Sequence, residues 1–395
     1  MLLPMTSARF VVPRLRSPLS PPSRCFSLSQ CTRSSSTGLP SLDRSIYLSE
    51  STGPYFNLTI EDWLFRKADP SRPLLFLYRN TPCVVLGRNQ NPWKEINLAA
   101  LRQTSIPFIR RRSGGGTVYH DLGNTNYSIH VPRTWFDRNV TSQIVLRAVR
   151  GMGVPEATVN ERNDVCVGTD KMNRLCLPAF LYVSGSAYKI VSSRAYHHGT
   201  MLISTQLKTL GNLLRSGKQE SMTTKGVASV RSPVCNVQLF DSSLSHEAFA
   251  DSMVREFQRE YGVTEEPCIV RESEEAKADE YIRKGMEELP SWEWAYGQTP
   301  EFQYTVSKTF PWGVVTAVIR SKRGLITGCD VALKDSILAL DFAPLDELFR
   351  DMRYGFVDVD EPADVVARLT GNSEAGAGDR RTEVYAWLRE VMSER

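Results

Sequence analysis

The chain contains no run of about 20 apolar residues, so no transmembrane helix and no membrane partner are expected. It also has no Cys-x-x-Cys pair. Its eight cysteines (Cys25, Cys31, Cys83, Cys166, Cys176, Cys235, Cys268 and Cys329) are scattered over 395 residues. That pattern fits reduced thiols and argues against a disulfide framework or a zinc site. A strong net charge is missing too: the formal value is +4, too small to argue for nucleic acid. Neither GxxxxGK[ST] nor GxGxxG occurs, which excludes P-loop and Rossmann nucleotide sites. No internal repeat is found. Acidic residues are absent before Asp43.

That acid-free stretch, residues 1–42, instead carries Arg9, Arg14, Arg16, Arg24 and Arg33 among many serines and prolines. This is the composition of a mitochondrial transit peptide, and it predicts a matrix location. The alternative is a disordered basic tail. The whole chain is 41% hydrophobic and 23% charged, as expected of a soluble globular protein.

Hydrophobic periodicity predicts helices at Asn57–Ala68, Asn97–Gln103, Asn139–Met152, Leu207–Leu214 and His246–Tyr261. Strands are expected at Pro73–Tyr78, Cys83–Gly87, Ile106–Arg110, Thr117–His120, Asn126–Val131, Asp164–Val167, Val183–Ile190 and Tyr196–Ser204. Short turns between several of them imply antiparallel pairing. The expectation is an α/β (α+β) fold with a mixed, largely antiparallel sheet flanked by helices. The charged stretch 267–290 reads as a linker running into a helix. Residues 43–266 form the main domain before it. Residues 291–395 form a small C-terminal α/β domain, with strands at Phe302–Thr309, Val314–Ile319 and Leu325–Val331 and helices near Pro344–Arg350, Glu361–Leu369 and Arg381–Met392.

The most informative segment is Arg110-Arg111-Arg112-Ser113-Gly114-Gly115-Gly116-Thr117-Val118-Tyr119-His120-Asp121. Three successive glycines after a strand allow positive φ and close approach of a ligand to the backbone. Consecutive N–H groups in such a loop can cradle a phosphate or carboxylate, and the preceding arginines add forked donors. The structural alternative is a glycine-rich turn with a basic strand end in water.

This run resembles the signature of lipoate–protein ligases. Further segments match that family in the same order: Phe56-Asn57-Leu58 with Glu61, Leu86 to Trp93, Arg162-Asn163-Asp164, Val183 to Lys189, His197 to Thr200, Lys225 to Ser232, and Ser291 to Trp294 with Gly297-Gln298. The resemblance spans roughly residues 46–350. It implies a catalytic domain like those of class II aminoacyl-tRNA synthetases and biotin ligases, with a C-terminal accessory domain. It also implies a reaction: lipoate is activated by ATP with Mg2+ to lipoyl-AMP, then passed to a lysine on lipoyl domains of E2 subunits and on glycine cleavage H protein.

Carried onto this chain, the ATP-binding positions are Arg111, Gly114, Gly115, Gly116, Thr117, Val118, Tyr119 and Asp164, with Asp164 also the metal ligand. Asp164 as a plain turn or cap residue is the alternative. The lipoate slot takes Arg88, His120, Lys171, Ser184 and Gly185. Lys225 to Ser232 reads as a loop over the adenylate or a basic surface loop. His197 and His198, adjacent on a strand, point to opposite faces and serve hydrogen bonding or packing better than a shared metal. Trp292 and Trp294 read as core or interface packing.

One departure stands out. The family's strand opens Lys-Val-Ser-Gly-Ser-Ala-Tyr, and its lysine contacts both carboxylate and phosphate. Here Tyr182 precedes Val183. Removing Met172–Tyr182 would join Lys171 to Val183 and restore the motif. Those 11 residues, MNRLCLPAFLY, read as an insertion of the kind an intron-boundary error in a gene model leaves. Lys171 is therefore the expected catalytic lysine, and Lys189 the weaker candidate. The competing activity is a lipoyl or octanoyl transferase that uses a preformed lipoyl-nucleotide or a carrier-bound acyl group. A biotin ligase and a non-enzymatic binding module are the remaining alternatives.

Overall fold

A computed structural model describes residues 38–168, 180–214, 216–334, 341–358 and 377–393, together with Asp364, Val365 and Leu369. The expected leader, apart from residues 38–42, lies outside them, as do Lys171, most of the inferred insertion and most of the helix expected at Glu361–Leu369. In chain order the strands are β1 (Ile46–Ser49), β2 (Leu74–Tyr78), β3 (Cys83–Leu86), β4 (Phe108–Arg110), β5 (Val118–His120), β6 (Asn124–Pro132), β7 (Ala157–Val159), β8 (Val165–Gly168), β9 (Phe180–Tyr182), β10 (Ser184–Ile190), β11 (Arg194–Leu202), β12 (Met222–Thr224), β13 (Cys268–Val270), β14 (Phe302–Phe310), β15 (Gly313–Lys322) and β16 (Leu325–Lys334). The helices that frame the site are α1 (Pro54–Lys67), α2 (Arg138–Gly151), α3 (His246–Tyr261) and α4 (Glu280–Glu288).

Helix α1 begins with Pro54, whose missing N–H is harmless in the first turn, and ends with Arg66 and Lys67 on the negative end of its dipole. Its apolar positions Phe56, Ile60, Trp63 and Leu64 share one stripe and are all buried. Each contributes about 1.5–3 kcal/mol by leaving water. Helix α3 is capped by Ser245, whose side chain accepts from the Ala248 N–H, and stops at Gly262 in the left-handed region.

The main sheet has six strands in the order β10-β11-β6-β2-β1-β13. Strand β1 pairs in parallel with β2 and β13, and the remaining pairs are antiparallel. Side-chain alternation in β2 sends Leu74, Phe76 and Tyr78 toward α1 and α4, and Leu75 and Leu77 toward α2 and α3. The sheet is thus covered on both faces, and every residue of β6 is buried. A three-stranded sheet, β4-β3-β5, carries the glycine loop. A third sheet, β7-β8-β9, and a fourth, β12-β14-β15-β16, complete the set among the described residues. In those residues no helix is long and apolar enough to cross a membrane.

Three expectations from the sequence need correction. Cys268–Val270 is not linker: it is edge strand β13, in register with Tyr47–Ser49. Met222–Thr224, well inside the expected catalytic segment, pairs with β14 of the C-terminal sheet. The turns after β2 and β5 do not close hairpins. Each carries the chain from one sheet to another, because β2 and β6 pair with each other while β3 pairs with β5.

Arg110 joins the glycine-loop sheet to the C-terminal region. Fully buried, it donates to the carbonyls of Arg88 and Gln90 (2.9 and 2.8 Å) and to Ala295 O and Thr299 Oγ1 (2.8 and 3.0 Å). In return Trp294 Nε1 donates to Arg110 O at 2.7 Å. Around this tie, Val84, Leu86 and Tyr119 share a core with Phe302, Tyr304 and Ile319. Replacing Arg110 by Met would strand several buried carbonyls. We expect a stability loss of roughly 3 kcal/mol or more, measured as a lower urea midpoint at unchanged slope.

Candidate active site

The glycine loop leaves β4 and is shaped from beneath by Arg111. Its guanidinium, 4% exposed, donates from Nη2 to Gly114 O and Gly116 O (both 2.7 Å), from Nε to Ser113 Oγ (2.9 Å) and from Nη1 to Val85 O (3.2 Å). Burial pushes its pKa down to about 10. The loop's shape is therefore dictated by one side chain that satisfies the carbonyls the turn leaves unpaired. Arg110 and Arg111 are both bound to protein acceptors. Arg112 turns away, toward Glu288 (2.6 Å) and Asp62 (3.3 Å), with its guanidinium stacked on Trp294.

Gly115 lies at φ +87°, and a Cβ there would stand 2.8 Å from Arg111 Nη2 and 2.9 Å from the Ala187 Cβ. A Cβ on Gly87 would meet the Gly115 carbonyl at 2.0 Å. Gly87 is required by close backbone approach, and Gly115 by its positive φ and the side chains packed against it. Gly114 differs, since a Cβ there meets nothing within 4 Å.

Behind the loop runs a buried chain of polar groups. Ser113 Oγ is 2.7 Å from His198 Nε2, and His198 Nδ1 is 2.9 Å from Glu61 Oε1. The ring thus spans Glu61 on one nitrogen and Ser113 on the other, and Ser113 Oγ in turn accepts from Arg111 Nε. His120 makes a separate contact: the Asn80 amide donates to its Nδ1 at 3.0 Å, and Asn57 fixes Asn80 through its Oδ1 at 3.0 Å. Burial first, then Arg111 and His198, lower the His120 pKa to about 3, so the ring is neutral. His197 faces the other way, stacked near Tyr188 with a ring distance of 4.7 Å. The opposite orientation of the two histidines is as expected.

Asp164 sits across the loop. Its Oδ1 accepts from the Ser186 N–H (2.9 Å), and its Oδ2 lies 3.3 Å from Arg162 Nη2. Burial is the largest influence on its carboxyl and raises its pKa. Asn163, at φ +65°, aims its carbonyl at Ser186 Oγ (2.9 Å). Ser186 precedes Ala187, the residue against Gly115, so Asp164 and the glycine loop flank the same strand. Ser184 Oγ accepts from the Val165 N–H (2.7 Å), and Gly185 N–H donates to Thr200 Oγ1 (3.1 Å).

The segment 225–232 is docked on the loop. Ser229 Oγ accepts from the Thr117 N–H (3.0 Å) and from Gln90 Nε2 (2.9 Å). Arg88 stacks on Trp294 at 4.5 Å and donates to Gln298. Tyr119 is not part of the site's polar face. It points to the core shared with the C-terminal sheet, while its neighbours Val118 and His120 face the opposite side. Lys189 is held 2.6 Å from Asp62 and over the Phe65 ring. Glu61, Asn80, Gln90 and Ser229 are not singled out as site residues from the sequence. Glu61, Gln90 and Ser229 fall inside the matching segments, whereas Asn80 gives no signal beyond its turn.

Residues 53–258 match the lipoyl protein ligase A/B catalytic domain family. The chain is 32% identical over 348 residues to the lipoate-protein ligase A of Psychrobacter cryohalolentis, which covers 87% of this chain and 97% of that relative. The chain belongs to the lipoate–protein ligase family. Solved structures of similar fold include LipL1 of P. falciparum in complex with lipoate (22% identity, 88% of this chain and 100% of the other, TM-score 0.54). Another is a bipartite lipoate protein ligase from Thermoplasma acidophilum (21% identity, 63% and 95%, TM-score 0.51). The α/β, largely antiparallel architecture expected from the sequence is thus that of lipoate ligases.

Two predictions follow from the geometry of this ligase family site. Gly114→Ala should leave stability within about 0.5 kcal/mol, whereas Gly115→Val should cost on the order of 1–3 kcal/mol and dislodge Arg111. Paired thermal melts distinguish these outcomes. The second concerns acid. His120 and His197 both have pKa values lowered to about 3, below the ordinary value of about 6.5. Between these values the unfolded chain binds protons that the folded chain refuses, so stability falls as pH drops through that window. His120→Gln should reduce that slope by up to about 1.4 kcal/mol per pH unit, read from denaturant midpoints at pH 7 and 5.

Proposed function

We propose that this chain activates lipoate with ATP and transfers the lipoyl group to lysines of lipoyl domains, those of E2 subunits and of the glycine cleavage H protein, in the mitochondrial matrix. The near-complete coverage of a lipoate-protein ligase A at 32% identity carries this reading, because it spans both the glycine loop and the C-terminal sheet. The solved relative from Thermoplasma acidophilum is described with its E2 lipoyl domain, which supports that acceptor class. The acid-free, arginine-rich leader supports the location.

In the first step a lipoate carboxylate oxygen attacks the α-phosphorus of ATP. The bond to the leaving pyrophosphate breaks, and lipoyl-AMP forms without proton transfer. An acceptor lysine amine then attacks the acyl carbon, expels AMP and loses a proton. The residues suit the first step. The Thr117 N–H is bonded to a hydroxyl, Ser229 Oγ, that a phosphate oxygen could replace. The neutral, buried His120 favours an uncharged acyl chain shielded from water. Asp164 offers the single carboxylate with which a magnesium ion shared with substrate phosphates is usually held. That ion would neutralise phosphate charge. Residues 291–395 act in this reading as an accessory domain.

A second reading, transfer from preformed lipoyl-nucleotide, is favoured by Tyr182 standing where the family has lysine. Transfer through a cysteine thioester is disfavoured, because the segment His197-His198-Gly199-Thr200-Met201 contains no cysteine.

Lipoate-dependent exchange of labelled pyrophosphate into ATP separates ligase from transferase, and its absence would leave only the transferase. The register of β8 and β9 sets Tyr182 opposite Cys166. A variant lacking residues 172–182 would put Lys171 in that place, with Gly168-Thr169 as a tight turn. That variant should be active, and adding Lys171→Ala should remove about a thousandfold of its rate. Equal rates with and without Lys171 would refute its assignment.

A further inference from the structure

Joining a carboxylate to a phosphate brings two anions within a few ångströms, and a cation must stand beside them. Among the described residues, the basic side chains around the glycine loop are already engaged. Arg110 and Arg111 are buried on backbone carbonyls, Arg88 stacks on Trp294 and donates to Gln298, Arg112 is held by Glu288 and Asp62, and Lys189 is held by Asp62.

Arg162 is different. Its side chain is 41% exposed. Through Nη2 it bridges Asp164 (3.3 Å) to Ser232 of the docked 225–232 segment (2.9 Å), and its guanidinium lies over the ring of Tyr182 at 5.6 Å. Among the described residues its Nε and Nη1 carry no hydrogen bond, so donors of a planar fork are left for an anion. Tyr182 is not a passive neighbour. Val165, Val167, Leu181 and Val183 point into the core behind the main sheet. By strand alternation Tyr182 and its partner Cys166 therefore share the outward face on which Asp164 lies. A lysine directly before Val183 would project on that face. Here the chain presents an aromatic ring there, and the ring holds a guanidinium.

We propose that Arg162, positioned by Tyr182, is the cation that meets the acyl carboxylate and the α-phosphate in this chain, in place of a lysine ahead of Val183. The inference rests on lipoate activation as the reaction. Arg162 neutralises charge as the acyl–phosphate bond forms and pyrophosphate leaves, and it neither gains nor loses a proton. Tyr182 is a positioning residue: the cation–π contact keeps the guanidinium from folding fully onto Asp164.

The test uses the full chain, with lipoate-dependent pyrophosphate exchange as the rate and the thermal midpoint as the control for folding. Arg162→Ala should lower kcat by about a hundredfold at an unchanged midpoint, and Arg162→Lys should stay within about tenfold. Tyr182→Lys places an ammonium on the same face and should restore the Arg162→Ala variant to near the unmodified rate. Arg162→Ala with unchanged kcat overturns the proposal. So does a lowered midpoint together with lost kcat, which would mark a structural role, and so does failure of Tyr182→Lys to rescue. An inactive unmodified chain beside an active Tyr182→Lys variant refutes Arg162 as the cation and leaves lipoate activation standing. If both are inactive, lipoate activation itself falls.

Discussion

Burying a guanidinium without a carboxylate partner is costly, and this chain does it at two successive positions. Arg110 and Arg111 leave β4 on opposite sides, and each is satisfied by backbone carbonyls. Arg110 gathers the turn after β3 and the start of the C-terminal region onto one side chain. Arg111 does the same for the glycine loop. Carbonyl oxygens that a tight loop cannot pair internally thereby gain charged donors. The loop is rigid because one buried side chain holds its acceptors.

The rest of the site depends on that rigidity. With Gly115 pressed against Ala187 and Gly87 against the Gly115 carbonyl, the loop is fixed between β10 and the end of β3. Ser113 extends the contact through His198 to Glu61 on α1, so helix, main sheet and loop meet in one hydrogen-bonded line. Asn80 and His120 tie together the two turns that cross between sheets. A buried polar network of this kind is specifying because each member left unpaired would carry a desolvation penalty.

Much of this was legible beforehand. Helices α1, α2 and α3 follow from 3.6-residue periodicity, although α1 begins at Pro54, three residues before the expected start. The strands follow from short apolar runs between turn residues. The glycine loop announces itself by composition. Strand pairing was not legible. A short turn between two strands reads as a hairpin, yet the turns after β2 and β5 change sheets. Residues 268–270 look like part of a charged linker because only three apolar positions mark the strand. The destination of each arginine was equally hidden, since a run of three gives no indication of which side chains the fold will surround with carbonyls.

The sequence by itself determined the family, the loop that a phosphate would approach, and the absence of a lysine before Val183. These are matters of local composition and of order along the chain, which folding does not change. Only the tertiary structure decided which charges remain available. Whether Arg110, Arg111, Arg162 or Lys189 can face a substrate depends on acceptors that lie far away in sequence: Ala295 for Arg110, Ser232 for Arg162 and Asp62 for Lys189. Long-range packing alone brings such partners within hydrogen-bonding distance. It leaves Arg162, resting on Tyr182 beside Asp164, half in solvent with donors to offer.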